Sequence, residues 1–115
     1  MELQIFLING DFHVHRAGCA DIGKIRRRRL SDSPGHVEVH DSRESVVMDS
    51  WGDIVDEHES ERDYVIEQGS ATREEAEADY QRSIRTLWDA TNFKPCTRGL
   101  PERSGHADGT GRDGA

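Results

Sequence analysis

Large apolar side chains are scarce in this chain. Leu, Ile, Val and Phe account for 22 of its 115 residues, and Phe, Trp and Tyr for only 6%. This composition, combined with a net charge of −8, lies close to that of disordered proteins, so any apolar core must be small. A chain of this length supports one domain and is too short for a catalytic barrel or for a doubly wound sheet with a substrate domain.

Export signals and paired cysteines are also lacking. The main apolar stretch, residues 3–8, is too short to span a membrane and follows no cationic leader. The two cysteines, Cys19 and Cys96, stand far apart and form no Cys-x-x-Cys pair. These features predict a cytoplasmic location, no membrane association and free thiols in place of a disulfide.

Acidic residues are concentrated in the middle of the chain. Residues 41–90 contain 15 acidic and 5 basic residues. A field of this sign repels nucleic acid and anionic membranes and favours basic partners. The contrasting basic cluster, Lys24 with Arg26 to Arg29, is expected to end a helix, pair with the acidic middle or meet an anionic partner, with nucleic acid a less favoured ligand.

Hydrophobic periodicity predicts an α+β fold with a small antiparallel sheet of about three strands. Residues 2–8 are apolar on both faces, as in a central strand. The dipeptide Asn9-Gly10 predicts a tight hairpin to a second strand over residues 11–15. Residues 36–40 alternate between polar and apolar, which predicts a third, half-buried strand.

The alternation in residues 36–40 also predicts which side chains face the core. Val37 and Val39 are expected on the buried side, with His36, Glu38 and His40 on the other. Three potential ligands or proton-transfer groups on one strand face are compatible with chemistry. A solvent-facing polar side is the favoured interpretation, because no nucleophile accompanies them.

Helical spacing of apolar residues predicts two or three helices over the sheet. One is expected near residues 43–57 and a weak one at 17–29. The clearest is expected at 72–91, where Thr72 and Glu75 can form a capping box. The predicted domain covers residues 1–98, and residues 99–115, rich in glycine, are expected to form a flexible tail.

One string resembles the first metal-binding motif of the polymerase-and-histidinol-phosphatase and amidohydrolase types of hydrolase. It is Asp11-Phe-His13-Val-His15, at the end of a predicted strand. The resemblance covers five residues, and those enzymes collect further ligands from many barrel strands. A hydrolase using Asp11, His13 and His15 is therefore a disfavoured hypothesis.

A zinc site is the more economical metal hypothesis. His15, Cys19 and Cys96 supply imidazole and thiolate ligands that suit tetrahedral zinc, and the candidates for a fourth ligand are His13, His36 and His40. Metal binding would supply folding free energy that a small core lacks. Two buried thiols without a metal remain the alternative, because free cysteine is common in ordinary cores.

The acidic helical middle is the predicted binding surface for a partner. Its carboxylates could imitate a phosphate backbone and occupy the basic groove of a protein that handles nucleic acid. The alternative is a solvated surface that only promotes solubility. The candidate partner-binding residues are Asp56, Glu57, Glu59, Glu61, Asp63, Glu74, Glu75 and Glu77.

Two short motifs give the chain a resemblance to small uncharacterised proteins of actinobacterial phages. They are His15-Arg-Ala-Gly-Cys19-Ala-Asp-Ile22 after the first strands and Phe93-Lys-Pro-Cys96 near the end, and they flank the acidic helices. The resemblance implies a phage origin, an α+β fold and proximity of Cys19 to Cys96. It carries no functional residue over.

Together these features favour a non-enzymatic interaction protein of phage or mobile-element type, without a cofactor. The expected partner is a host protein that meets the acidic helical surface. A zinc-stabilised binding module is the alternative function, and a metal-dependent hydrolase is the least favoured.

Overall fold

The computed structural model describes residues 1–25 and 35–103, and the described chain forms an α+β fold. Four strands form one mixed sheet in the order β3-β1-β2-β4: β1 (Glu2–Ile8), β2 (Asp11–Arg16), β3 (His36–Val39) and β4 (Thr91–Phe93). The described residues form three α-helices: α1 (Arg43–Ser50), α2 (Gly52–Glu67) and α3 (Arg73–Asp89). The predicted class is confirmed, but the sheet has four strands in place of about three.

The β1–β2 hairpin is the predicted one. The strands pair antiparallel from Leu3 opposite Arg16 to Ile8 opposite Asp11. Asn9 and Gly10 at the turn both have positive φ, 54° and 85°, which is the backbone that a two-residue hairpin with the native twist requires.

Strand β4 was not predicted as a strand, and its first residue, Thr91, was expected to end the helix over residues 72–91. The strand lies parallel to β2 with Phe12 opposite Thr91. Helix α3 precedes it directly, so the chain crosses over the sheet and returns as an edge strand. Three residues are too few for a periodicity to be read. The strand is fixed instead by tertiary contacts: the buried Thr91 hydroxyl donates to the Leu87 carbonyl and accepts from Trp51 Nε1 at 2.9 Å.

The single helix predicted over residues 43–57 is wrong. The chain leaves helical geometry at Trp51, with φ −105° and ψ 23°, between α1 and α2. The tryptophan ring packs edge-on against Phe12 with centroids 4.7 Å apart, a contact that a continuous helical stripe does not reveal. Helix α2 then continues to Glu67, so the acidic residues 56–63 are helical.

The predicted orientation of β3 is also wrong. Val37 and Val39 are 53% and 75% exposed, whereas His40 is buried and Glu38 half-buried. A link of two residues separates His40 from α1, and the imidazole meets Ser45 in the first turn of that helix. Alternation in the sequence separates the two faces of a strand but does not show which one packs against the helices. Here the short link to α1 places the His40 side on that face.

The core lies between the sheet and the helices. One buried cluster joins the strand side chains Leu3, Ile5 and Val14 to Val46 of α1 and to Leu100. A second joins the three helices through Val47, Val55, Tyr80, Ile84 and Leu87. Helix α3 begins with the predicted capping box, in which Thr72 and Glu75 each accept from the other's backbone N–H.

Two further segments, residues 17–29 and the chain after residue 98, differ from their sequence-based predictions. Within the described part of the proposed helix over 17–29, residues Ala20–Lys24 form a 3₁₀ helix, and residues 26–29 lie outside the described ranges. Leu100 is buried, and the Pro101 and Glu102 carbonyls accept hydrogen bonds from the first turn of α1. The packed chain therefore extends past residue 98, and the described ranges stop at 103.

Candidate metal centre

The candidate centre lies on the face of the sheet opposite the helices, here called the thiol face. Phe6 and His15 project from neighbouring strands on this face, and their rings meet edge-on with centroids 5.7 Å apart. Both side chains are buried. Gly35 (φ 81°) approaches the Phe6 ring so closely that a Cβ at this position would lie 2.6 Å from a ring carbon.

The turn after β2 brings Cys19 back towards His15. Gly18 adopts a positive φ of 79°, and the Cys19 amide donates to the Arg16 carbonyl at 3.0 Å. The 3₁₀ helix Ala20–Lys24 follows at once. A tight turn thus places a thiol four residues after the histidine on the same side of the sheet.

Strand β4 delivers the second thiol. Because β4 lies beside β2, its end reaches the same region, where the Lys94 amide donates to the Val14 carbonyl at 3.0 Å. A 3₁₀ turn over Pro95–Thr97 then carries Cys96, whose sulfur accepts from the Arg16 amide at 3.2 Å. Two segments far apart in the sequence therefore meet at the end of β2.

His15, Cys19 and Cys96 form one compact group. One ligand atom from each lies within 4.8 Å of the other two. His15 is buried, and both cysteines are half-buried and free. The ligand set predicted from the sequence is thus assembled in the structure, with the two thiols adjacent.

The electrostatics of the group suit metal binding. Burial lowers the pKa of His15, and the nearby Lys94 and His13 add to this effect, so the imidazole stays neutral and able to ligate. Its Nδ1 atom is buried and has no hydrogen-bond partner among the described residues. Leaving such an atom unsatisfied costs about 1–3 kcal/mol, which coordination would remove.

The Cys96 thiol is protonated in the metal-free protein at neutral pH. Burial raises the pKa of Cys96 above its ordinary value of 9.0; the Arg16 amide opposes this shift and the neighbouring Cys19 adds to it. Metal binding at this site would therefore release protons.

The other proposed ligands do not join this group. Within residues 1–25 and 35–103, no fourth His, Cys, Asp or Glu lies within the same distance of all three atoms. Asp11 and His13 of the hydrolase-like string stay outside it, although His13 lines a cleft beside His15. His40 belongs to a separate group with Glu38 and Asp49, facing the helices.

That separate group is part of a hydrogen-bonded network at the sheet edge. The sequence placed His36, Glu38 and His40 on one strand face, but a solvent-facing side was favoured, and their partner Ser45 was not predicted. The Glu38 carboxylate contacts His36 and lies 2.6 Å from His40 Nε2, while His40 Nδ1 lies 2.7 Å from the Ser45 hydroxyl. Burial alone would raise the pKa of Glu38, but contacts with His40 and His36 hold it below 4.5. Both nitrogens of the buried His40 ring are satisfied, so this network has less need of a metal than His15 has.

The predicted acidic surface occupies an antiparallel pair of helices, α2 and α3, called here the acidic hairpin. Arg62 pairs with Asp63 at 3.2 Å and Glu77 at 3.1 Å and lies over the Tyr80 ring. Two more carboxylates have structural partners, since Glu59 accepts from the Tyr80 hydroxyl and Glu75 caps α3. Among the predicted partner-binding residues, those that are exposed and form no ion pair in the described chain are Asp56, Glu57, Glu61 and Glu74.

The basic cluster lies mostly outside the described ranges. Its one described member, Lys24, pairs with Asp21 at 3.0 Å. The described helices include none with the length and apolar character that crossing a membrane requires.

Comparisons with other proteins leave the site to be interpreted from its own chemistry. The resemblance to phage proteins stays a prediction, although its implication that Cys19 and Cys96 are neighbours agrees with the structure. Compared with protein-family models, curated proteins and solved structures, the chain matches none.

Proposed function

We propose that this protein is a zinc-stabilised binding module in which His15, Cys19 and Cys96 hold Zn²⁺. The supporting observation is the convergence of the three ligand atoms within 4.8 Å from two segments far apart in the sequence. The same imidazole has a buried Nδ1 atom without a hydrogen-bond partner in the described chain.

The donor set favours zinc over other common metals. Two thiolates and one imidazole match the soft and intermediate ligands that zinc prefers, whereas calcium and magnesium require oxygen ligands. The Arg16 amide, 3.2 Å from the Cys96 sulfur, supplies the kind of outer hydrogen bond that orients and stabilises a metal-bound thiolate.

Zinc would add stabilisation on the thiol face to that given by the buried Phe6. The 3₁₀ helix Ala20–Lys24 contains no buried residue. Metal ligation by Cys19 would tie this segment to β2, and ligation by Cys96 would tie the end of β4 to the same point. Such cross-linking is the usual contribution of a structural zinc site in a small domain.

The test is the metal content of the purified protein and of matched variants. Wild-type protein exposed to zinc and then desalted should retain about one equivalent, and its cobalt form should show a thiolate-to-metal charge-transfer band. Cys19→Ser with Cys96→Ser should lose both, whereas Ser83→Ala, on α3, should keep them. Less than about half an equivalent in the wild type would refute the proposal.

The acidic hairpin supports a second candidate function, binding of a basic protein surface such as the groove of a protein that handles nucleic acid. The observation in its favour is that Asp56, Glu57 and Glu61 are exposed on α2 and form no ion pair within the described residues. Carboxylates without internal partners keep their full attraction for an external cation.

Charge reversal tests this second function. Binding of a fluorescent lysine-rich peptide should weaken about tenfold when Asp56, Glu57 and Glu61 are replaced by Lys, and should weaken further with added salt. The control replaces three exposed acidic residues on the strand side, Glu2, Asp11 and Asp41, so that the net charge changes equally. Equal weakening by both triple variants would mean that only net charge matters and would reject the hairpin as the surface.

A further inference from the structure

A cleft opens beside the candidate metal centre on the thiol face. Its volume is about 490 Å³, and His15 belongs both to its wall and to the ligand group. Its wall also includes the apolar Ile8, Ile25 and Pro95 and the basic Lys24 and Lys94. The cleft thus combines an apolar wall with positive charge next to a metal ligand.

The proposed zinc site leaves one coordination position without a ligand from the described chain. Three protein ligands occupy three corners of a tetrahedron, and the fourth belongs to water or another ligand in zinc sites that remain open. Two thiolates neutralise the charge of Zn²⁺, and His15 is neutral. An anion in the fourth position would therefore need a neighbouring cation.

Lys94 is such a cation. Lys24 is paired with Asp21 at 3.0 Å, whereas Lys94 has no ion pair within residues 1–25 and 35–103. Its backbone is held firmly, because its amide donates to Val14 and its carbonyl accepts from the Thr97 amide at 2.9 Å. These bonds fix Lys94 two residues before Cys96, at the wall of the cleft.

We propose that this cleft binds a small carboxylate with an apolar body, an inference that rests on the proposed zinc site. The carboxylate replaces water in the fourth position and pairs with the Lys94 ammonium, while the apolar body packs against Ile8, Ile25 and Pro95. Among the described residues of the cleft, a single unpaired cation lies beside an apolar wall. This arrangement suits a singly charged carboxylate better than a phosphate, which carries more charge and needs more donors.

The test uses the full-length protein loaded with cobalt and titrated with butyrate, with butyramide as the uncharged control. Butyrate should change the visible cobalt spectrum saturably, and butyramide should leave it unchanged. Lys94→Gln should raise the Kd for butyrate about tenfold, as expected for loss of a charge-assisted hydrogen bond. Lys24→Gln, in the same cleft but already paired, should raise it less than about threefold.

The outcomes separate this inference from the zinc proposal. Absence of the thiolate-to-cobalt band would refute the zinc site, and the ligand proposal with it. A normal band whose spectrum does not respond to butyrate would overturn the ligand proposal alone. Equal butyrate affinity in the wild type and in Lys94→Gln, or a stronger response to inorganic phosphate, would also overturn it.

Discussion

The face of the sheet that packs against the helices and the thiol face differ in what covers them. On the helix face, Leu3, Ile5 and Val14 are almost fully buried against Val46 of α1 and the returning chain at Leu100. On the thiol face, the covering 3₁₀ helix Ala20–Lys24 buries no residue of its own. Here the deeply buried side chains of β1 and β2 include a histidine with an unsatisfied nitrogen.

This difference follows from the scarcity of apolar residues. A chain with few large apolar side chains can build one well-packed layer, and here that layer lies under the helices. On the thiol face Phe6 is buried, but the 3₁₀ helix Ala20–Lys24 adds no buried residue, and the proposed metal would supply further stability there. The two faces should therefore respond differently to core mutation and to metal removal.

The largest effect is expected from a cavity on the helix face. Leu3→Ala removes a fully buried side chain and should lower the free energy of unfolding by about 4 kcal/mol, measured by urea denaturation at neutral pH. Leu7→Ala, at a position 48% exposed on the same strand, should cost less than about 1 kcal/mol. If both variants lowered the free energy of unfolding by a similar amount, burial in the helix-face core would not explain the contribution of Leu3.

A somewhat smaller effect is expected from removing zinc. In excess zinc, ligation should raise the free energy of unfolding by about 3 kcal/mol, and a chelator should abolish this gain. In the Cys19→Ser and Cys96→Ser double variant, zinc and chelator should give the same free energy of unfolding. A chelator effect of equal size in both proteins would show that the stabilisation does not come from the thiol face.

Local signals were enough to predict much of the helix face and the ligand set. The Asn9-Gly10 turn, the Thr72 and Glu75 capping box and the spacing of His15 and Cys19 are short-range features that nearby residues largely determine. The structure retains all three. The resemblance to phage proteins also implied that Cys19 and Cys96 lie close together in space.

Features that depend on distant contacts could not be predicted in this way. Strand β4 is defined by its backbone pairing with β2. The interruption between α1 and α2 occurs at Trp51, whose ring contacts Phe12 and Thr91. The face of β3 was wrongly assigned because polarity alone was used. A buried polar side is compatible with stability when its groups are paired, as they are around His40.

The smallest effect is expected from the network around Glu38, which places hydrogen-bonded polar groups on the helix face of the sheet. Contacts with His40 and His36 hold the pKa of Glu38 below its ordinary value of 4.5. A carboxyl group whose pKa is lower in the folded than in the unfolded protein stabilises the fold when it is ionised. This contribution is fully present above pH 4.5 and is lost as the pH falls through the pKa in the folded state.

Glu38→Gln should therefore cost less than about 1 kcal/mol at pH 7, because the carboxylate is partly exposed and its attraction to histidine is screened. The difference in free energy of unfolding between the wild type and this variant should shrink as the pH falls from 5 towards about 3. Comparing the two proteins at each pH, by urea denaturation, cancels the loss of zinc that both suffer in acid. Glu61→Gln is the control, because Glu61 is exposed and has no ion pair in the described chain, and it should change the free energy of unfolding only slightly. If the cost of Glu38→Gln is constant across this range, the histidine contacts do not stabilise the ionised form, and polar pairing does not explain why this side of β3 faces the helices.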